Sequence, residues 1–299
     1  MNKILQFPLV RIIIAVVLVG IGITVGQTIL NLLRAAFSIT NIGLANLLAF
    51  VVITPATYFA YWIYVRSIER RDLSELSSSN ALREIGLGTL IGFGLFSFII
   101  ALLWLFGFYH VNGIDFALLS FIGALIGAFV SAFAQELIFR AVIYRITEEW
   151  LGTWWALVIS ALLFGLIHLS STGATIFSAL SVALQAGVLL AAAYALTRRL
   201  WMVLGIHMAW DFANDGIFGV GVAGQSGQSL HGLLQANLNG PKLLTGGALG
   251  VEASVITLVI VLIAGMVMLR KAYQQGPWVS AKNRSQREPA HSAAGKISL

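Results

Sequence analysis

The sequence predicts an all-α membrane protein: a polytopic bundle of about eight transmembrane helices with both termini on the cytoplasmic side. Three observations predict it. Hydrophobic residues make up 59% of the 299-residue chain and charged residues only 10%, against about 45–50% and about 25% in soluble domains. Apolar runs long enough to cross a bilayer recur along the chain, about 20 residues each. The Lys and Arg residues then fall almost entirely on one side of those runs.

In chain order, the apolar segments lie near 9–33, 43–65, 86–108, 116–138, 153–169, 176–197, 201–219 and 250–270. The fifth is short and the seventh polar. The first is too long for a cleavable signal peptide and lacks a small-residue cleavage site, so it is expected to stay as a span. With the N-terminus inside, the inner segments and span ends hold Lys3, Arg11, Arg66, Arg70, Arg71, Arg83, Arg140, Arg145, Arg198, Arg199, Arg270, Lys271, Lys282, Arg284, Arg287 and Lys296. Only Arg34 and Lys242 fall outside. This is the positive-inside pattern, so the net charge of +6 records orientation. A nucleic-acid partner is not expected. The short loops point to the bacterial inner membrane.

Between the spans, residues 67–85 pair charge with Leu73, Leu76, Leu82 and Ile85, and read as an amphipathic helix or loop on the cytoplasmic interface. The Gly-, Gln- and Asn-rich 219–249 stretch reads as an ordered outer loop, and 276–299 as a basic, disordered tail able to touch anionic lipid. Gln27, Asn31 and Gln185 are expected to hydrogen-bond between spans, and Trp150, Trp154, Trp155 and Trp201 to form an interfacial belt. No fixed-period repeat is evident, which argues against inverted-repeat transporters. Cysteine is absent, so thiolate chemistry is excluded.

Ionisable groups inside spans are costly and mark functional sites. Here they concentrate in three places. The fourth span carries Gln135, Glu136 and Arg140, the fifth ends with Phe164 and His168, and the seventh carries His207, Asp211 and Asp215. Glu136 and Arg140 share a helix face at a spacing of four, as do His207 and Asp211. Such a pair is also what a simple neutralised span end or a polar helix contact would show. Taken together, the set has the parts of a water-activating site. A carboxylate and an imidazole serve as general base, and a second imidazole with its carboxylate stabilises an oxyanion. The same Glu136, His168 and His207 could instead hold a zinc ion with an open position.

The pattern Gln135-Glu136-x-x-x-Arg140, Phe164-x-x-x-His168 and His207-x-x-x-Asp211 resembles the CAAX-protease and bacteriocin-processing family of intramembrane proteases, also called the Abi family, which includes the type II CAAX prenyl endopeptidases. Gly246, Gly247, Gly250, Glu252 and Ser254 match a further stretch found in many bacterial members. The resemblance covers roughly 85–270. It implies a catalytic core over 86–275 and a membrane-associated peptide or protein as substrate; the two N-terminal helices read over 1–66 are matched only loosely. For this chain the leading expectation is that Glu136 and His168 activate water, His207 and Asp211 stabilise the oxyanion, and Arg140 holds Glu136. One departure stands out: the family's first motif Glu, held to activate water, is Gln135 here. Three outcomes follow from that residue. Glu136 takes over as base, His168 carries the role alone, or the chain is an inactive relative acting as a membrane scaffold or immunity factor. Glu252 reads either as a fastening for the outer loop or, slightly better, as a carboxylate at a helix N-terminus.

Overall fold

The computed structural model describes residues 3–171, 173–220, 232–275 and 278–279. Among the described residues, seven helices are long and apolar enough to cross a membrane. They are α1 (Pro8–Ala36), α2 (Ile42–Glu69), α3 (Ala81–Leu105), α4 (Leu118–Leu151), α5 (Thr153–Ser170), α6 (Ile176–Thr197) and, after the helix described next, α8 (Val255–Gln275). The eighth expected span is α7 (Leu200–Asp211), which continues as a wider π-helical turn through Phe212–Ile217. His207, Asp211, Asn214 and Asp215 make it too polar to stand with the other seven. The chain is a multi-pass helical membrane protein.

Local sequence sets the helix ends. Asn41 caps α2 by accepting from the Leu44 amide at 3.0 Å, and Thr175 with Ser178 forms a reciprocal capping box at the start of α6. α1 shows why most helices stay at the periphery. Leu9, Ile13, Val17, Ile21, Val25 and Ile29 form an exposed stripe four residues apart, while Ala15, Val19 and Leu30 are buried. The opposite case is α6, whose most apolar stretch is 67% buried, against 22–39% for the other six spans. The bundle is therefore built around α6.

Close crossings use small residues, as expected where dispersion rather than hydrophobicity drives helix association. Gly88 and Gly92 of α3 meet the backbone of α7 at Met202 and Ile206, and Gly205 of α7 meets Ile85 of α3. Any side chain there would separate the two helices.

Several expectations change. The fourth span does not end at 138: α4 is a 34-residue helix whose regular part, Leu118–Glu136, passes into a π-helical stretch, Leu137–Tyr144. Glu136 thus lies near mid-helix, and Arg140 and Arg145 follow on the same helix as paired side chains. Of the two readings of residues 67–85, helix or loop, the segment between α2 and α3 is a loop. A single 3-10 turn, Ser74–Leu76, is pinned by buried Glu75, and α3 already begins at Ala81. Gln27 bonds Asn31 within α1 at 3.1 Å, on an exposed face, so that pair does not bridge spans.

The outer loop contributes a strand that composition did not announce. β1 (Tyr109–Ile114) pairs antiparallel with β2 (Leu234–Leu238), with an irregularity between Val111 and Gly113. Residues 221–231 of that loop and most of the expected tail lie outside the described residues. Of the tail, Trp278 packs on Trp154, and Val279 exchanges hydrogen bonds with Thr153 at the start of α5.

Candidate active site

Glu136 and Arg140 are both fully buried. An isolated charge at such a depth is strongly disfavoured, and the two neutralise one another: Arg140 donates to Glu136 Oε1 at 3.1 Å. Arg140 also donates to the Gly187 carbonyl at 3.3 Å and lies 4.6 Å from the centroid of the Phe164 ring, within cation–π range. Gly187 belongs to a π-helical stretch of α6, Ala183–Gly187, and a side chain there would collide with Ala161 of α5. The same glycine therefore permits close packing and offers Arg140 an acceptor.

Across from α4, His207 Nδ1 lies 2.7 Å from Glu136 Oε1. The carboxylate is an acceptor, so His207 donates from Nδ1, and this contact orients the ring. Its other nitrogen, Nε2, faces Asp211 Oδ2 at 3.6 Å. That is too long for a hydrogen bond and close enough for charge to matter. Glu136 Oε1 thus carries both contacts, whereas Oε2 is buried with no hydrogen-bond partner among the described residues.

His168 begins the last, 3-10 turn of α5. Its Nδ1 lies 2.8 Å from the Phe164 carbonyl, which can only accept, so Nδ1 carries the proton and a neutral ring keeps its lone pair on Nε2. Phe164 joins the pieces. Its ring lies 5.1 Å from that of His168, 5.8 Å from His207 and 5.2 Å from Phe139. The three spans therefore meet around one aromatic ring, with Glu136, Arg140, His168, His207 and Asp211 about it.

Gln135 donates to Ser131 Oγ at 2.9 Å on its own helix. A step of one residue turns a side chain about 100° around the axis, and no hydrogen bond links Gln135 to Glu136, His168 or His207 among the described residues. No group of three or more His, Asp or Glu side chains that could hold a metal occurs among the described residues. The Nδ1 atoms of His168 and His207 are engaged by the Phe164 carbonyl and Glu136 Oε1.

Sequence reasoning passed over Phe164 and Gly187 as site residues. Phe164 was visible as a motif position. Gly187 acts through its main chain, which leaves no sequence signal. Glu252 was assigned less well. It lies in the 3-10 stretch Gly247–Ala253, before α8, and its Oε1 accepts from Trp210 Nε1 at 3.2 Å. It is bound to the helix carrying His207 and Asp211 more directly than to the start of its own.

No curated protein and no solved structure matches the chain. A family model does: residues 117–213 match the family described as type II CAAX prenyl endopeptidase Rce1-like. The match takes in all three motifs of α4, α5 and α7, and stops short of Gly246–Ser254. Through this segment, which spans about a third of the chain, the protein is similar to the type II CAAX prenyl endopeptidase Rce1-like family.

Proposed function

We propose that the protein is an intramembrane endopeptidase that hydrolyses a peptide bond of a membrane-associated protein or peptide. The observation that carries this reading is the division of labour within one carboxylate. Arg140 and His207 both engage Glu136 Oε1, leaving Oε2 as a buried acceptor aligned by two fixed partners. In the proposed reaction Glu136 Oε2, aided by His168 Nε2, takes a proton from water, and the water oxygen bonds to the substrate carbonyl carbon. Negative charge develops on the carbonyl oxygen and is met by an N–H from His207 Nε2. Asp211 supports the positive charge on His207 as it does so. Collapse of the intermediate breaks the C–N bond, and the proton held by Glu136 passes to the departing amine.

Gln135 favours a second reading. An amide stands where the family uses its first carboxylate, and it is tied to Ser131, so the chain could instead bind substrates as a membrane scaffold without cutting them. Comparative membrane proteomics of cells carrying the wild type and His168→Ala separates the two. The proteolytic reading expects fragments that accumulate only with the wild type, and those fragments name the substrate. Identical fragment sets would leave the scaffold reading in its place.

A further inference from the structure

The 246–254 segment reaches the site from outside the family match, and its contacts are specific. Gly246 and Gly250 take positive φ, +85° and +61°, which a side chain would strain, and a Cβ at Gly246 would overlap the Gly250 carbonyl. Ser254, fully buried, donates to the Leu244 carbonyl at 2.5 Å and accepts from the Ile256 amide at 3.1 Å. The segment is thereby folded back on itself with Leu249, Val251 and Ala253 buried. Glu252 is the residue it turns toward the bundle. Gln185 of α6 donates to its main-chain carbonyl, and Trp210 of α7 donates to its carboxylate. Trp210 is fixed from the other side by Phe96, edge to face at 4.9 Å. Asp211 follows Trp210 directly.

We propose that Glu252 is a positioning residue: through Trp210 it latches the 246–254 segment onto α7 and fixes the turn that presents Asp211 to His207. The inference rests on the proteolytic reading for its functional consequence, and on geometry alone for the latch. Its essential element is the accepted hydrogen bond, not the charge. Glu252→Gln keeps an acceptor oxygen and should preserve the latch, whereas Glu252→Ala and Trp210→Phe should each release it. Their combination should be no worse than either alone.

The natural absence of cysteine makes a direct test available. Ala213, fully buried between Asp211 and Asp215, is changed to Cys, with Ala191→Cys in the buried centre of α6 as a control. Each is reacted with a small thiosulfonate in the full-length reconstituted protein. The expected result is a rise of about tenfold or more in modification at position 213 in Glu252→Ala and Trp210→Phe, none in Glu252→Gln, and no change at 191 in any background. Equal rates at 213 in all backgrounds, or a parallel rise at 191, would overturn the latch. In parallel, release of the wild-type-specific fragments should fall with Glu252→Ala and recover with Glu252→Gln. Unchanged release despite faster labelling would overturn the positioning role. Absence of fragments even in the wild type would instead strike the proteolytic reading and leave the latch to be decided by labelling alone.

Discussion

Two buried ionic clusters in this protein are built from the same residue types and finished differently. At the end of α2, Glu69 Oε1 accepts from Arg11, Tyr64 and Arg145, and Oε2 from Arg71 and Arg145. Beside it, Glu75 Oε1 accepts from Tyr61 and Arg71, and Oε2 from Arg71 and Ser74. Every carboxylate oxygen is occupied, and the network ties α1, α2, α4 and the 70–77 linker together. In mid-bundle, Glu136 spends one oxygen on Arg140 and His207 and leaves the other without a hydrogen-bond partner among the described residues. Saturation makes an ion cluster a staple. An aligned carboxylate with an acceptor to spare is a place for chemistry.

That contrast can be broken first at the staple. Glu69→Ala would leave Arg11, Arg71 and Arg145 without their shared partner, and breaking a buried pair costs about 3–5 kcal/mol. Thermal unfolding in detergent should register this loss, while cleavage per folded molecule stays near the wild-type rate. A variant with intact stability would show that the network is ornamental.

A smaller effect is expected at Glu75, and it depends on pH. Burial alone would push this carboxyl up, but the hydrogen bonds and charge of Arg71, with the charge of Arg145, hold it below the ordinary carboxylate range. A folded-state value below the unfolded one contributes stability that is present above the unfolded value, about 4.3, and is lost as pH falls through the folded one. Wild type should therefore exceed Glu75→Gln by about 1–3 kcal/mol near neutrality, with the gap closing toward acid. A gap independent of pH would assign the contribution to packing instead of ionisation.

The same contrast explains what was legible in the sequence. The helical membrane fold followed from apolar runs and the sparse placement of charge. The candidate site was read from ionisable residues standing where lipid forbids them, at spacings that put Glu136 with Arg140 and His207 with Asp211. What stayed hidden depends on tertiary contacts. The π-helical continuation that carries α4 past Glu136 has no hydrophobic signature, because Leu137–Tyr144, apart from Arg140, is apolar in either helix form. The Gly187 carbonyl and the pairing of β1 with β2 are main-chain contacts between distant segments. Gln135 and Glu136 are adjacent in sequence, yet only packing against α7 determines which of them meets His207.

The central claim is that Glu136 is the general base. Replacing it alone would strand the Arg140 charge in the core, so the informative variant is Glu136→Gln/Arg140→Gln, which removes both charges together. Assayed in liposomes on a peptide spanning the cleavage site found by the proteome comparison, it should keep a cooperative unfolding transition and lose about 100-fold or more in turnover. A folded double variant that cuts at the wild-type rate would contradict the account.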